Sequence, residues 1–578
     1  MTYSNQGSRL SNVGRDGVSV VLMALITLMA SDAWANTAVS SQAPTVLFYA
    51  GIGESCCGED PHPVHGIAAP DGSYIVGGKS MDAQGTSEGF VVKVDPAGLS
   101  GTVFLEADQD TSFAWSRTFG SPGKNDLINN LAASKSALYV AGLKAAADGT
   151  GDRYLAKLDL ANGSVIWEVL LPDPKPNTEG AFEAIQLTSD GGLITTGLVN
   201  GQKGSAEGFK SYGNPWSGEA FVSYFSAEQL ASAAGPDAPV WTEMLPGSIT
   251  GKGIREVTGE ESGYVVASGA EDAPPTVTRL DSQGKVMWST SVPDHGELTD
   301  IAVLRNGSAF EGFAITGHRN NQGGIDGSVT KLSASGAIVW YQMVGDPPGG
   351  LGAFAGLGAG NPKLIYDECW GIQGTGDGGM LLGCGSGIEG CGGLSGALKQ
   401  ECQADPRQVW RGMVIRLDSQ GNTLWQRVDS FVEPAGSAND VSDAASEYVS
   451  LGATGHILSV VDQGFGIGVL VLNPEANWTS GDEPEPGDEP EPGDESEPGD
   501  ESEPDDEPEP GDASPQEEGS TQDDESTPVE DHEEAPGCGA GGQKTPWNMS
   551  MLLSLALLGW MAYRRRLLGP EERSVGQG

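Results

Sequence analysis

Short runs of alternating apolar and polar residues recur through the middle of the chain, each beginning at a tight turn. One repeated element is a turn followed by an apolar strand that ends in glycine, as in DGSYIVG at residues 71–77. Its seven copies, the last one degraded, begin at or near Asp71, Ser136, Asp190, Glu261, Glu311, Asp377 and Ala453. Asp-Gly and Gly-Gly supply the positive φ that two-residue hairpins require, and a period of two is typical of strands. The pattern therefore predicts an all-β fold, with no sustained helical periodicity between residues 36 and 480.

A second repeated element places a tryptophan shortly after an alternating strand, in the pattern D-x-x-G-x-x-x-W. Complete or looser copies begin at Asp95, Asp159, Asp281, Ser333 and Asp418. Each unit of the chain therefore offers about four short strands, which is the content of one β-propeller blade. We expect the tryptophans to pack each blade against its neighbour.

Seven copies of the turn-strand element predict a seven-bladed propeller. The strand VLFYAGIG at residues 46–53 has no blade of its own, and the last unit, ending near Asn477, lacks its outer strand. Pairing these two would close the ring and hide its edges. The repeats resemble those of bacterial and archaeal exported propellers of the DGGYIVAG and KLDxxGxxxW type, which are loosely akin to quinoprotein repeats. The resemblance implies the fold but no single function, because propellers host enzymes, receptors and scaffolds alike.

Residues 1–35 are typical of a secretory signal peptide. Arg9 and Arg15 precede a thirteen-residue apolar core at residues 18–30. Ala33 and Ala35 flank Trp34 in the small-x-small pattern that a signal peptidase recognises. We expect the mature, exported chain to begin near Asn36, with the propeller occupying residues 36–480.

Residues 481–536 form an acidic segment rich in Pro, Gly, Glu and Asp. Residues 481–534 carry 26 acidic side chains and no Lys or Arg, and open on a six-residue GDEPEP-type repeat. A segment of this composition cannot bury a core, so we expect a disordered, extended spacer.

The chain ends in a region, residues 537–578, with the order of a sorting tail. Seventeen mostly apolar residues, 547–563, precede Arg564, Arg565 and Arg566, as in a short transmembrane helix whose basic end stays cytoplasmic. This order resembles bacterial MYXO-CTERM tails, whose Gly-Cys-Gly step is matched by Gly537, Cys538 and Gly539, and next to them the GlyGly-CTERM tails. The resemblance implies a sorting protease, removal of the helix and display at the cell surface or outer membrane. Twelve residues follow the arginines, where such tails usually stop, so retention as a single-span membrane protein is the alternative.

The charge of the chain narrows the choice of partners. The formal net charge is −49, and the spacer supplies −26 of it. An acidic body on an acidic spacer repels nucleic acid, so we exclude nucleic acid as a partner. The remaining expected partners are the membrane, the sorting protease and an unidentified protein or glycan ligand.

Six cysteines of the exported region are candidates for disulfides. They are Cys56, Cys57, Cys369, Cys384, Cys391 and Cys402. The adjacent Cys56 and Cys57 raise the possibility of a quinone-dependent dehydrogenase, a class that places such a pair over its cofactor. That class has eight blades and a calcium cage with a catalytic aspartate, which this sequence does not display. We therefore interpret the pair as a loop disulfide, and the other four cysteines as two disulfides in a glycine-rich insertion of blade 6, with three possible pairings.

Other polar residues have a structural and a functional interpretation. Basic residues recur at one blade position, where they either form a cationic ring for an anionic ligand or pair with neighbouring carboxylates; they are Lys93, Lys157, Arg279, Lys331 and Arg416. His62 and His65, with Asp60, are candidates for a metal site. We assign no catalytic, cofactor-binding or metal-binding residues and expect no cofactor.

The sequence thus favours an exported surface propeller that acts as a binding or interaction protein. The alternative is a propeller enzyme, either a quinoprotein dehydrogenase or a polysaccharide-active enzyme. Carboxylates and histidines from several blades that converge at one end of the central channel would favour the enzyme. A channel lined by Gly, Ser and Val would favour the scaffold.

Overall fold

A computed structural model describes most of the residues between 38 and 475. The described residues are 38–39, 43–83, 85–105, 112–120, 123–202, 218–259, 262–269, 274–321, 324–345, 366–387, 396, 400, 411–429, 444–463 and 466–475. The predicted signal, spacer and sorting tail lie outside them, as do Cys391 and Cys402. Among the described residues, no helix combines the length and apolar character needed to cross a bilayer.

The described residues form seven antiparallel blades, as the repeats predict. Before blade 1 come β1 (Ala38–Val39), β2 (Val46–Ile52) and a 3₁₀ turn (Glu54–Cys56). Blade 1 contains β3 (Glu59–Ala68), β4 (Tyr74–Met81), β5 (Ser87–Val94) and β7 (Phe113–Phe119), with β6 (Gly101–Leu105) inserted. Blade 2 contains β8 (Leu127–Ala133), β9 (Ala137–Ala145), β10 (Gly151–Asp159) and β11 (Val165–Leu171). Blade 3 contains β12 (Glu179–Leu187), β13 (Leu193–Gly201), β14 (Glu219–Phe225), the short helix α1 (Ala227–Ala231) and β15 (Trp241–Met244).

The second half of the ring repeats this order. Blade 4 contains β16 (Thr250–Val257), β17 (Gly263–Gly269), β18 (Thr276–Asp281) and β19 (Val286–Ser291). Blade 5 contains β20 (Glu297–Asn306), β21 (Ala309–Asn321), β22 (Gly324–Leu332) and β23 (Ile338–Val344). Blade 6 contains β24 (Tyr366–Gly374), β25 (Met380–Gly387), β26 (Arg411–Leu417) and β27 (Thr423–Asp429). Blade 7 contains β28 (Ala444–Leu451), β29 (Ile457–Gln463) and β30 (Gly466–Leu472).

The N-terminal strand closes the ring, as predicted. β2 pairs antiparallel with β30, from Val46 opposite Leu472 to Ile52 opposite Ile467, and so becomes the fourth strand of blade 7. Two further pairings were not predicted: β6 lies parallel to β2, and β1 pairs with the outer strand β27 of blade 6. The outer edges of blades 6 and 7 are therefore covered by other segments of the chain.

The tryptophans pack each blade against the next, and the recurring basic residues join the same contact. Lys93 and Trp115, opposite each other in blade 1, both donate hydrogen bonds to the carbonyl of Leu160 in blade 2, at 2.8 and 3.3 Å. The same arrangement links Lys157 and Trp167 to Leu230, and Lys331 and Trp340 to Ser419. The indole ring lies over the turn glycine of the following blade. A Cβ atom on Gly163 would come within 2.7 Å of Trp115.

Carboxylate partners are described for three of the five basic residues, as the pairing interpretation predicts. Lys93 pairs with Asp71 at 2.6 Å, Lys331 with Glu311 at 3.0 Å and Arg416 with Asp377 at 2.7 Å. In each case the carboxylate belongs to the turn of the same blade's turn-strand element. These ion pairs therefore form within a blade, between a nearly buried basic side chain and a carboxylate that is 28–59% exposed.

Candidate functional site

The inner strands of the seven blades form a closed ring around the central channel. They are β3, β8, β12, β16, β20, β24 and β28, and each contacts the next, with β28 contacting β3. Every one of them has a β-bulge at the same place in its pairing with the second strand of its blade. The extra residues are Val64, Asn129, Glu183, Lys252, Thr299, Trp370 and Glu447, all of them buried. A bulge re-aims side chains and commonly lies near a functional site.

Two of the bulge residues connect neighbouring blades. Asn129 Nδ2 donates to the carbonyl of Phe182 at 3.0 Å, and Thr299 Oγ1 donates to the carbonyl of Cys369 at 2.8 Å. Each accepting carbonyl immediately precedes the bulge residue of the next blade. At these two positions the bulge stabilises the ring, because its side chain gives a buried backbone carbonyl of the next blade a hydrogen-bond donor.

Charged side chains from several blades gather where the inner strands begin. We call this group the acidic end; it comprises Glu297, Glu368, Glu447 and Asp462 together with His62, His318, Lys79 and Lys252. His62 Nδ1 lies 3.0 Å from Asp462, and His62 Nε2 lies 4.0 Å from Glu447. On the other side, Glu297 lies 3.6 Å from His318 and 4.0 Å from Lys252. Carboxylates and histidines from blades 1, 5, 6 and 7 therefore converge at one end of the channel.

Burial sets the electrostatics of the acidic end. It raises the pKa of Glu447 to about 8, and the charges of Asp462 and Glu368 add to the rise while His62 opposes it. Burial likewise raises the pKa of Glu368, with Glu297 adding to the rise and His318 opposing it. Burial by itself lowers the pKa of His62, but the carboxylates of Asp462 and Glu447 outweigh it and the net shift is upward. The pKa values of Glu447, Glu368 and His62 all shift upward, so this end of the channel favours an added proton or another cation.

Three of these side chains are of the types that bind metal ions, and they lie close together. His62, Glu447 and Asp462 each offer one ligand atom, and the three atoms lie within 4.8 Å of one another. Of the histidines and the aspartate considered in the sequence, only His62 takes part. His65 instead packs its ring against Tyr448, with 3.9 Å between centroids, and Asp60 is exposed.

The opposite ends of the inner strands enclose a small cavity. It has a volume of about 100 Å³ and is lined by His65, Arg255, Gln373 and Tyr448 among others. Arg255 spans it, with 3.0 Å to Asp300 and 2.8 Å to the Tyr448 hydroxyl. Small-molecule sites usually enclose about 300–1,000 Å³, so this cavity has room for a few water molecules rather than a substrate.

Disulfide bonding is confirmed, although one location differs from the prediction. Cys56 is bonded to Cys57, and both side chains are buried in an apolar cluster with Phe48 and Ile52. Cys369 is bonded to Cys384. The prediction placed these two in a glycine-rich insertion, whereas they face each other on the adjacent strands β24 and β25. Strand β24 was not predicted, because the buried acidic residues at its start interrupt the alternation of apolar and polar positions.

The acidic residues of the site were not identified from the sequence. Glu368 and Glu447 are buried, yet each stands at the start of an apolar strand, in DECWGIQG and SEYVSLG. An acidic residue directly before buried apolar positions in equivalent strands is the signal that would have revealed them. What the sequence does not show is that the ring brings strands from distant blades together.

Comparisons with known proteins add likeness of fold only. Neither a protein-family model nor a curated protein matches the chain. BamB from Moraxella catarrhalis is similar at 10% identity and a TM-score of 0.33, over 75% of this chain and 100% of that one. The quinohemoprotein alcohol dehydrogenase ADHIIG from Pseudomonas putida is similar at 11% identity and a TM-score of 0.32, over 73% of this chain and 67% of that one. Likenesses this distant carry no argument about function, and the propeller assignment rests on the strand pairing of this chain.

Proposed function

We propose that this protein is an exported, surface-displayed propeller that binds a positively charged partner at the acidic end of its channel. The observation that carries the proposal is the convergence of Glu297, Glu368, Glu447 and Asp462 at that end. Two of these carboxylates, Glu368 and Glu447, are only 6% and 5% exposed. Buried carboxylates are costly unless a cation compensates them, so a Lys or Arg side chain of a partner would be bound favourably.

The rest of the chain supports a protein partner outside the cytoplasm. A net charge of −49 attracts basic surfaces over a distance and repels nucleic acid and anionic lipid. The signal with Ala33 and Ala35, the acidic spacer and the Gly537-Cys538-Gly539 step with the arginine cluster support export and display. Mass spectrometry of protein extracted from the cell surface tests the display: residues 567–578 still joined to the propeller would indicate an ordinary anchor.

The binding proposal is tested by titrating the full chain with a lysine-rich peptide. The variant Glu297→Gln/Glu368→Gln removes two charges from the acidic end. Its matched control, Glu228→Gln/Asp237→Asn, removes two exposed charges from helix α1 of blade 3 and the loop that follows it, and gives the same net charge. We expect the first variant to bind about 10-fold more weakly than the control, because each desolvated charge pair contributes on the order of 1 kcal/mol or more. Equal affinities of the two variants would contradict the proposal, because binding would then follow net charge alone.

A polysaccharide-active enzyme is the second candidate, because the convergence of carboxylates and histidines at one end of the channel is the outcome that the sequence analysis assigned to an enzyme. Glycoside hydrolysis uses a protonated carboxylic acid beside an ionised carboxylate. Burial raises the pKa of Glu447 to about 8, which keeps that side chain protonated at neutral pH, close to Asp462. Polysaccharide turnover by the wild type that is lost in Glu447→Gln would favour this candidate over the binding protein.

A further inference from the structure

The seam at which the ring closes contains a group of side chains suited to a metal ion. His62 lies on β3 of blade 1, whereas Glu447 and Asp462 lie on β28 and β29 of blade 7. These two blades meet where the N-terminal strand β2 completes blade 7. The three ligand atoms lie within 4.8 Å of one another, so small side-chain movements would bring all three onto one ion with bonds of about 2.0–2.2 Å.

The surroundings of Glu447 give a second, independent indication that this site binds an ion. Its side chain is 6% exposed, and the nearest basic group is His62 Nε2 at 4.0 Å, beyond hydrogen-bonding distance. Among the described residues, no donor hydrogen-bonds to its carboxylate. A buried carboxyl group without a hydrogen-bond donor is costly, and coordination to a cation would stabilise it.

The donor set indicates the class of ion. One imidazole and two carboxylates suit zinc and the neighbouring first-row divalent metals, whereas calcium and magnesium prefer oxygen ligands alone. His62 and Asp462 keep side-chain exposures of 23% and 29%, so water can reach the site. Three protein ligands with access to water leave one coordination position open.

We propose that His62, Glu447 and Asp462 bind a divalent first-row transition-metal ion, for which Zn²⁺ is the probe, across the seam between blades 1 and 7. The bound ion joins the two blades at the point of ring closure and presents an open coordination position at the acidic end. Metal binding and peptide binding can be tested separately, because the peptide test changes Glu297 and Glu368, which are not among the three proposed metal ligands.

The test is calorimetric titration of the metal-stripped full chain with Zn²⁺, with Ca²⁺ as the comparison ion. The acidic spacer binds cations weakly in every variant, so the decisive quantity is the difference between variants. We compare the wild type with His62→Asn, Glu447→Gln and the control His456→Asn, which removes a blade 7 histidine at a surface turn. Wild type and control should bind one more Zn²⁺ per chain than His62→Asn or Glu447→Gln, or bind it at least about 10-fold more tightly.

Thermal unfolding supplies a second readout that a loosely bound ion would not change. Zn²⁺ at 100 times the dissociation constant should raise the melting temperature of wild type and control by several degrees, and leave Glu447→Gln unchanged. Glu447→Gln replaces a buried carboxyl group that has no hydrogen-bond donor by an uncharged group of the same shape, and is therefore expected to fold. Asp462→Asn replaces His62→Asn should the latter not fold. Zn²⁺ binding that is the same in Glu447→Gln as in the control, or no Zn²⁺-dependent shift in wild type, would overturn the proposal.

Discussion

Single residues at the acidic end owe their properties to burial that only the closed ring provides. His62 was noticed in the sequence because of its neighbours His65 and Asp60, yet its actual partners come from blade 7. Glu447 and Asp462 are separated from it by almost the whole described chain, so no local pattern links them. The residues that could be predicted were those whose role is local: the turn glycines, the tryptophans and the cysteines.

His295 gives a prediction for the pH dependence of stability. Its ring shares two hydrogen bonds with hydroxyl groups: Nδ1 lies 2.7 Å from Ser328 Oγ, and Nε2 lies 2.8 Å from Thr330 Oγ1. Burial lowers its pKa to about 3, and the positive charges of His318 and Arg319 add to the effect. The folded protein therefore keeps this histidine neutral, whereas the unfolded chain takes up the proton below about pH 6.5. Stability from this residue is present above pH 6.5 and is lost as the pH falls from 6.5 towards 3.

The measurement is the free energy of unfolding of wild type and His295→Gln at pH 7 and pH 5. The advantage of wild type over the variant should shrink by about 2 kcal/mol between these two values, because protonation of the unfolded state is favoured by up to ~1.4 kcal/mol per pH unit. His456→Gln, at a surface turn, serves as the control and should follow wild type. An advantage that stays constant or grows at pH 5 would contradict the assignment.

At the scale of the strand and turn, the sequence predicted most of what the structure contains. Turn-strand copies and D-x-x-G-x-x-x-W copies gave the hairpins of the blades, because a positive-φ turn and a period of two are local properties. The tryptophan of blade 3, Trp241, was missed because helix α1 and a loop separate it from its strand. The short strands β1 and β6 were also missed, because each pairs with the outer strand of a blade other than its own, which no local pattern reveals.

The contact between Trp241 and the turn glycine Gly284 of the next blade tests how the blades are joined. Gly284 has φ +81° and a Cβ there would lie 2.6 Å from the indole, whereas Gly72 has φ +85° and open space around it. Gly72→Ala should therefore cost only the backbone strain of about 1–2 kcal/mol. Gly284→Ala should cost roughly a further 1–3 kcal/mol, because the tryptophan must move out of a packed interface. Equal losses of unfolding free energy in the two variants would show that the indole contact contributes nothing.

In the whole molecule, closure of the ring by β2 joins blade 7 to blade 1 and so brings together the charged side chains of the acidic end. Blade count and closure were predicted, because both follow from counting repeats and from an unpaired strand at each end. The acidic end was not predicted, because it depends on which ends of seven inner strands meet and on the bulge that each of them carries. Acidic residues that are ordinary in the sequence become a distinct site only after the ring has formed.

We propose that a positively charged partner binds at the acidic end, and photo-cross-linking locates the bound partner on the chain. A lysine-rich peptide carrying a photoreactive group is bound to the full chain, and the cross-linked residues are located by mass spectrometry. We expect cross-links within residues 59–64, 297–299, 366–370 and 445–447, and we expect unlabelled peptide to compete with them and salt to weaken them. Cross-links confined to residues 481–534 or to the outer strands β11, β19 and β23 would contradict it, since the peptide would then bind the spacer or the rim rather than the channel.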